Sequence, residues 1–194
     1  MEQIGLLHDG QIYDLQTAEA LNIKGDIIKA DDSKESLEIL RHSCAHMMAQ
    51  AIKELYPEAK FFVGPVVKEG FYYDFKVESK ISDEDLPTIE KKMKEIADRK
   101  LPITRHETTK EEFYEKFKND ELKQAVLKNI KDDTLTIYKQ GDFEDLCRGP
   151  HLPNTRMIRS FKLTRVAGAY LGGDEKNEMI TRIYGIAFFD KQAL

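Results

Sequence analysis

The 194-residue sequence has no tryptophan, only two cysteines and six prolines, and no long apolar run. Each shortage excludes something. Two cysteines cannot form a disulfide framework, which leaves a reducing cytoplasm as the expected location. No stretch approaches the roughly 18 apolar residues that a membrane-crossing helix needs. The opening MEQIGLLHDG has neither a basic start nor a long apolar core, so no secretory signal is expected. A Walker loop, a dinucleotide fingerprint and a kinase signature are all missing, so neither ATP nor NAD is expected to bind. Internal repeats and low-complexity linkers are absent too. Charge of one sign is not in large excess: the net charge is -5, which argues against general nucleic-acid binding.

What is present suffices for a folded domain. The chain is 41% hydrophobic and 34% charged, enough for a core under a well-solvated surface. Ile4 to Leu7 and Gln11 to Leu15 flank His8-Asp-Gly10, a hairpin signal. A short helix near Thr17 to Leu21 and a strand at Asp26 to Lys29 complete a small β-rich unit, residues 1–31. It is too small for its own core and is expected to pack on the rest. Asp32, with Glu35 three residues on, predicts a capping box and a helix running to Tyr56 before Pro57. Leu37, Leu40, Cys44, Met47, Ala51 and Leu55 form its apolar stripe, which makes Cys44 a packing residue.

Strands are predicted over Phe61 to Val67, interrupted at Gly64-Pro65, and over Phe71 to Val77. Ser82 to Lys100 reads as a charged helix with a narrow Ile89–Met93–Ile96 seam. A strand at Pro102 to Glu107, helices at Lys110 to Phe117 and Asp120 to Ile130, and a strand at Thr134 to Lys139 follow. Two further strands, Phe161 to Val166 and Met179 to Ala187, are separated by Gly172-Gly173. The fold class is α+β, a mainly antiparallel sheet packed with helices behind the small β-rich unit. Asp190 reads as a helix N-cap, so the end of the chain is expected to lead into a longer one.

Chemistry concentrates in two short motifs, His42-Ser-Cys-Ala-His46 and Cys147-Arg-Gly-Pro-His151. His42 and His46 share a helix face, beside the apolar stripe rather than opposite it, where a pocket wall would lie. Gly149 and Pro150 make the second motif a turn. Three imidazoles and a thiol fit a tetrahedral zinc site. Spacing slightly favours that site over the alternative, a metal-free pocket in which imidazoles orient and activate water, with Asp145 projecting beside Cys147 from an extended strand. Nucleophilic attack by Cys147 ranks third, because it needs an oxyanion hole. Downstream, Arg148, Arg156, Arg159, Lys162 and Arg165 occur without an intervening acid, a basic stripe suited to phosphates.

HSCAH, FFVGPVVKEGFYYDF, DLCRGPHLPNT and FKLTRVAGAYLGGD, in that order and spacing, resemble the amino-terminal editing region of bacterial threonyl-tRNA synthetases from about residue 33 onward. The resemblance implies a two-layer editing domain over 32–189, with 190–194 opening a linker to a catalytic core, and residues 1–31 as a reduced TGS-like module. It implies hydrolysis of mischarged seryl-tRNA(Thr), needed because one methyl group supports only a roughly 10- to 200-fold discrimination. On this reading His42, His46, Lys123, Cys147 and His151 are catalytic, and Tyr73, Asp145 and Gly64 bind substrate. Asp145 takes the ammonium, Lys123 or a backbone N–H near Gly64 the oxyanion, and His46 or His151 the water. The basic stripe meets the acceptor end of tRNA(Thr).

No cofactor is expected in this region. ATP and a catalytic zinc would belong to the missing core, and the full-length enzyme is expected to be a homodimer. Two alternatives stay open: a free-standing zinc-dependent aminoacyl-tRNA deacylase, and a non-catalytic tRNA-binding module in which His42, His46, Cys147 and His151 hold structural zinc.

Overall fold

A computed structural model describes residues 1–194. Three antiparallel sheets surround one long helix. The first is formed by β1 (Gln3–His8), β2 (Gln11–Asp14) and β3 (Asp26–Lys29) in the order β2-β1-β3. Its hairpin turns at Asp9 and Gly10, both at positive φ, as the Asp-Gly pair predicts. Helix α1 (Leu15–Ala20) follows, with Asp14 as its N-cap accepting from the Thr17 N–H at 2.8 Å. Ile4 and Ile28 of this unit join the core of the rest, so the N-terminal residues do pack against it.

Helix α2 (Lys34–Leu55) is the central element. Leu40, Cys44, Met47, Ala51 and Ile52 are fully buried on it, and Cys44 is the packing residue that its place on the stripe predicts. Its start differs from the expected capping box. Ser33 is the N-cap, and Asp32 instead accepts backbone N–H groups from Phe189, at 2.7 Å, and Asp190. Tertiary contact with the end of the last strand, 157 residues away, takes the carboxylate that local pattern assigns to the helix.

Under α2 lies the largest sheet: β4 (Lys60–Phe61), β5 (Val66–Val67), β6 (Gly70–Lys76), β10 (Ser160–Tyr170) and β11 (Met179–Phe188), in the path β10-β11-β6-β4 with β5 also on β6. The strand expected over Phe61 to Val67 is two short pieces, broken at the Gly64-Pro65 interruption. Phe71, Tyr73 and Phe75 turn inward from β6 and are buried. Helix α3 (Leu86–Asp98) is preceded by a single 3-10 turn and lays Ile89, Met93 and Ile96 into the core.

The third sheet is β7 (Thr104–Thr109), β8 (Thr134–Gln140) and β9 (Phe143–Leu146), in that order, with β8 and β9 joined through Gly141 at φ +58°. Between β7 and β8 run α4 (Lys110–Lys116) and α5 (Glu121–Lys128). Strand β10 extends four residues beyond the expected Val166, pairing with β11 as far as Tyr170↔Met179. The architecture is α+β with antiparallel sheets packed against helices. No helix is long and apolar enough to cross a membrane.

Candidate active site

Four elements converge on one buried pocket: α2 brings His42 and His46, β6 Tyr73, α5 Lys123, and the end of β9 with its following turn Asp145, Cys147 and His151. The four His and Cys side chains each offer one donor atom, all within 4.8 Å of one another. Strand alternation puts Phe143 and Asp145 on the inward side of β9, and Asp145 continues towards Cys147 as the offset predicts.

Proton directions follow from the partners. The Pro150 carbonyl can only accept, so His42 Nδ1, 3.1 Å away, carries the proton and donates to it. In the neutral ring His42 Nε2 is then a bare acceptor, 3.2 Å from Cys147 Sγ. On its other side Sγ meets His151 Nε2 at 3.2 Å and the Gly149 N–H at 3.1 Å. Ser43 Oγ lies 3.0 Å from His151 Nδ1 and accepts from the Leu152 N–H at 2.8 Å. One arrangement satisfies every group: Ser43 donates to His151, His151 Nε2–H to the thiol, the thiol to His42, and His42 to Pro150. Burial holds all three imidazoles neutral, lowering His42 to about 4 and His46 and His151 well below the usual histidine range. It also raises the Cys147 thiol, which disfavours a free thiolate nucleophile.

The second half of the pocket is acidic and cationic. Asp145 Oδ1 accepts from Lys123 Nζ and from its neighbouring Leu146 N–H at 2.9 Å, while Oδ2 accepts from the Tyr73 hydroxyl. Burial pushes the Asp145 carboxyl up and Lys123 down, to about 8. His46 Nε2 stands 4.0 Å from Asp145 Oδ2, beyond hydrogen-bond reach, and the ring is wedged among His42, His151, Tyr73 and Phe143. His46 is therefore the one imidazole of the three that the internal network leaves unpaired. A cleft of about 440 Å³, lined in part by Phe61, Lys116, Lys123, Phe143 and Asp145, opens on this side.

Gly64 stands over the Tyr73 ring, where any side chain would overlap it. The basic stripe is less uniform in space than in sequence. Arg156 pairs with Glu2 at 2.7 Å and Arg159 with Asp98 at 2.5 Å, acids supplied by other elements. Arg148 is 86% exposed and 3.8 Å from Asp132, Lys162 is exposed, and Arg165 lies over the Tyr184 ring at 4.1 Å. Three residues that hold the pocket escaped the sequence reading: Ser43, Tyr138 and Asp14. Ser43 is hidden inside HSCAH as a spacer, Tyr138 as an ordinary strand aromatic, and Asp14 as a helix cap.

Residues 135–184 match the family model described as the threonyl and alanyl tRNA synthetase second additional domain. The chain is 65% identical over 193 residues to threonine–tRNA ligase of Campylobacter jejuni, a match covering 100% of this chain and 32% of that protein. The Helicobacter hepaticus ligase gives the same figures, and that of Campylobacter lari is 72% identical over 164 residues, 84% of this chain and 27% of the relative. The chain thus spans about a third of the length of these curated relatives. Its resemblance to the amino-terminal editing region of threonyl-tRNA synthetases is thus supported along the whole chain.

Proposed function

We propose that the pocket hydrolyses the ester of seryl-tRNA(Thr). The observation that carries this reading is an unpartnered, neutral His46 standing 4.0 Å from the Asp145 carboxyl group, beside a buried lysine. On this reading Asp145 Oδ2 receives the ammonium of an aminoacyl group, while Tyr73 and Lys123 hold the carboxylate in place. A water on His46 attacks the ester carbon, and His46 takes its proton. Lys123 faces the developing oxyanion as a charged donor. When the carbon–oxygen bond to the terminal ribose breaks, the proton passes to the ribose oxygen, leaving serine and free tRNA. His42, Cys147 and His151 form the wall that fixes His46 and excludes water. Rejection of threonine would follow from a site too tight for its extra methyl, the second half of a double sieve.

Zinc is the second reading, because three imidazoles and one thiol within 4.8 Å are a donor set it accepts. Held by His42, His46, Cys147 and His151, it would supply either a structural tie or, with one ligand displaced, a Lewis acid. On the metal-free reading the hydrogen-bond circuit through Ser43, His151, Cys147, His42 and Pro150 supplies partners to three of these four side chains.

We further take residues 1–31 as a reduced TGS-like module, 32–189 as the editing domain and 190–194 as the start of a linker. The partners are the acceptor end of tRNA(Thr) and the rest of a synthetase chain, working as a cytoplasmic homodimer. The deciding experiment compares deacylation of seryl- and threonyl-tRNA(Thr) by this chain, with zinc content measured on the same preparation. Faster release of serine from metal-free protein is the expected result. Equal rates sink the editing reading, and stoichiometric zinc sinks the metal-free mechanism.

A further inference from the structure

The first sheet looks peripheral, yet one of its carboxylates ends in the wall of the pocket. Asp14, the last residue of β2, is buried. Its Oδ1 caps α1. Its Oδ2 leaves the N-terminal unit altogether, accepting from the Tyr138 hydroxyl at 2.5 Å and from the His151 backbone N–H at 2.9 Å. The Tyr138 oxygen is also 3.0 Å from Thr17 Oγ1, and its ring lies 4.5 Å from the His151 ring. In the β8–β9 register Tyr138 faces Asp145, so one residue links Asp14 to both halves of the pocket. Two residues on, Gln16 grips the start of β7 through its backbone, accepting from the Arg105 N–H at 2.7 Å and donating to the Ile103 carbonyl. Gly149 is shaped to the same contact. At φ +79° it approaches so closely that a side-chain carbon would sit 2.9 Å from Asp14 Oδ2 and 2.5 Å from the Tyr138 oxygen.

We propose that Asp14 is a positioning residue for the pocket: reaching in from the N-terminal unit, it fixes the Cys147–His151 turn and thereby the His151 and Cys147 side chains. The turn has no regular secondary structure of its own to set its path, so its aim depends on the groups that hold its backbone. Asp14 supplies the fixed point for the His151 N–H, and Gly149 and Ser43 close the turn from within. The N-terminal unit is on this view part of the site rather than an appendage.

The test separates positioning from helix capping and from hydrolysis itself. Asp14→Ser keeps an oxygen able to cap α1 but is too short to reach His151 and Tyr138. Reaction of the folded chain with N-ethylmaleimide, followed by mass spectrometry, reads the turn directly. Cys147 is the only thiol near the surface, and Cys44 is fully buried and reports global opening. Asp14→Ser is expected to speed Cys147 labelling roughly tenfold while Cys44 stays protected. Unchanged Cys147 labelling overturns the proposal. Should both thiols become reactive, Tyr138→Phe decides: it keeps the ring and removes only the hydroxyl. Selective Cys147 labelling in that variant supports positioning, and any other pattern refutes it. The hydrolytic reading enters only through a second measurement, in which Asp14→Ser lowers kcat for seryl-tRNA with KM unchanged. If the unmutated chain does not hydrolyse seryl-tRNA, the proposed function fails while the labelling result still stands.

Discussion

On the proposed mechanism His46 is the residue on which the chemistry turns, since hydrogen bonds engage His42 and His151 and leave this ring without a partner. His46→Ala is expected to lower deacylation by about 10²- to 10⁴-fold, the range for loss of a general base, with the circular dichroism spectrum unchanged. Loss of helical signal in that variant would assign His46 to the fold instead. On the same proposed mechanism Lys123 sets the pH dependence. Burial lowers it to about 8, so its ammonium, the form that stabilises an oxyanion, is present below that pH and lost above it. Hydrolysis is therefore expected to decline as pH rises through about 8, and Lys123→Arg, which keeps its charge, to flatten that limb of the rate profile. A limb that survives in Lys123→Arg belongs to another group. Gly64→Ala probes packing: the added carbon overlaps the Tyr73 ring, and overpacking of this kind costs about 1–3 kcal/mol, measurable by urea titration. At this scale the His and Cys motifs were legible from helical offset and from scarcity. Tyr73 and Lys123 came only through the family resemblance, because by themselves a tyrosine on a strand and a lysine on a charged helix look ordinary until a fold buries them.

At the scale of the element, α2 is both core and pocket wall. Its buried stripe and its histidines lie on adjoining faces, so the same periodicity that packs the helix aims the imidazoles. Met47→Ala, in the middle of that stripe, is expected to cost about 2–5 kcal/mol in denaturant unfolding, as large-to-small core changes do. Asp32 is the counter-example. Pattern alone made it half of a capping box, yet it holds the Phe189 and Asp190 amides. Asp32→Ala should accordingly speed hydrogen exchange at Phe189 and leave the first turn of α2 unchanged. The opposite distribution would restore the capping reading. Strand β11 falls within a residue of its expected span, whereas β10 was placed four residues short at its end, because those residues owe their strand geometry to pairing with β11.

Across the whole molecule, charges that are separate in sequence become partners. Arg156 and Arg159 are answered by Glu2 and Asp98, which leaves Arg148 and Lys162 as the more available cations for phosphate. If the chain meets tRNA through them, Arg148→Ala and Lys162→Ala each reduce the salt dependence of binding by about one unit of slope, read by filter binding over a salt series. Arg156→Ala, whose charge is already engaged, should change the slope less. Lys60 and Lys76 likewise converge on Glu121, holding its carboxyl down at about 2 through hydrogen bonding to Lys60 first. A carboxyl lowered on folding contributes stability above its ordinary value of 4.5 and loses it as pH falls towards 2. Because Glu121 is half-exposed, solvent screening keeps that contribution small. The family resemblance and the fold class were legible in the sequence alone, because four ordered motifs and alternating hydrophobicity are local properties that survive without a fold. So was the pairing of two motifs rich in His and Cys. Only the tertiary structure decided which imidazole is free, which carbonyl fixes the tautomer of His42, and that Asp14 reaches the pocket from the far end of the chain. Those depend on hydrogen bonds between residues more than a hundred positions apart, and no local pattern encodes which distant donor a buried oxygen will find.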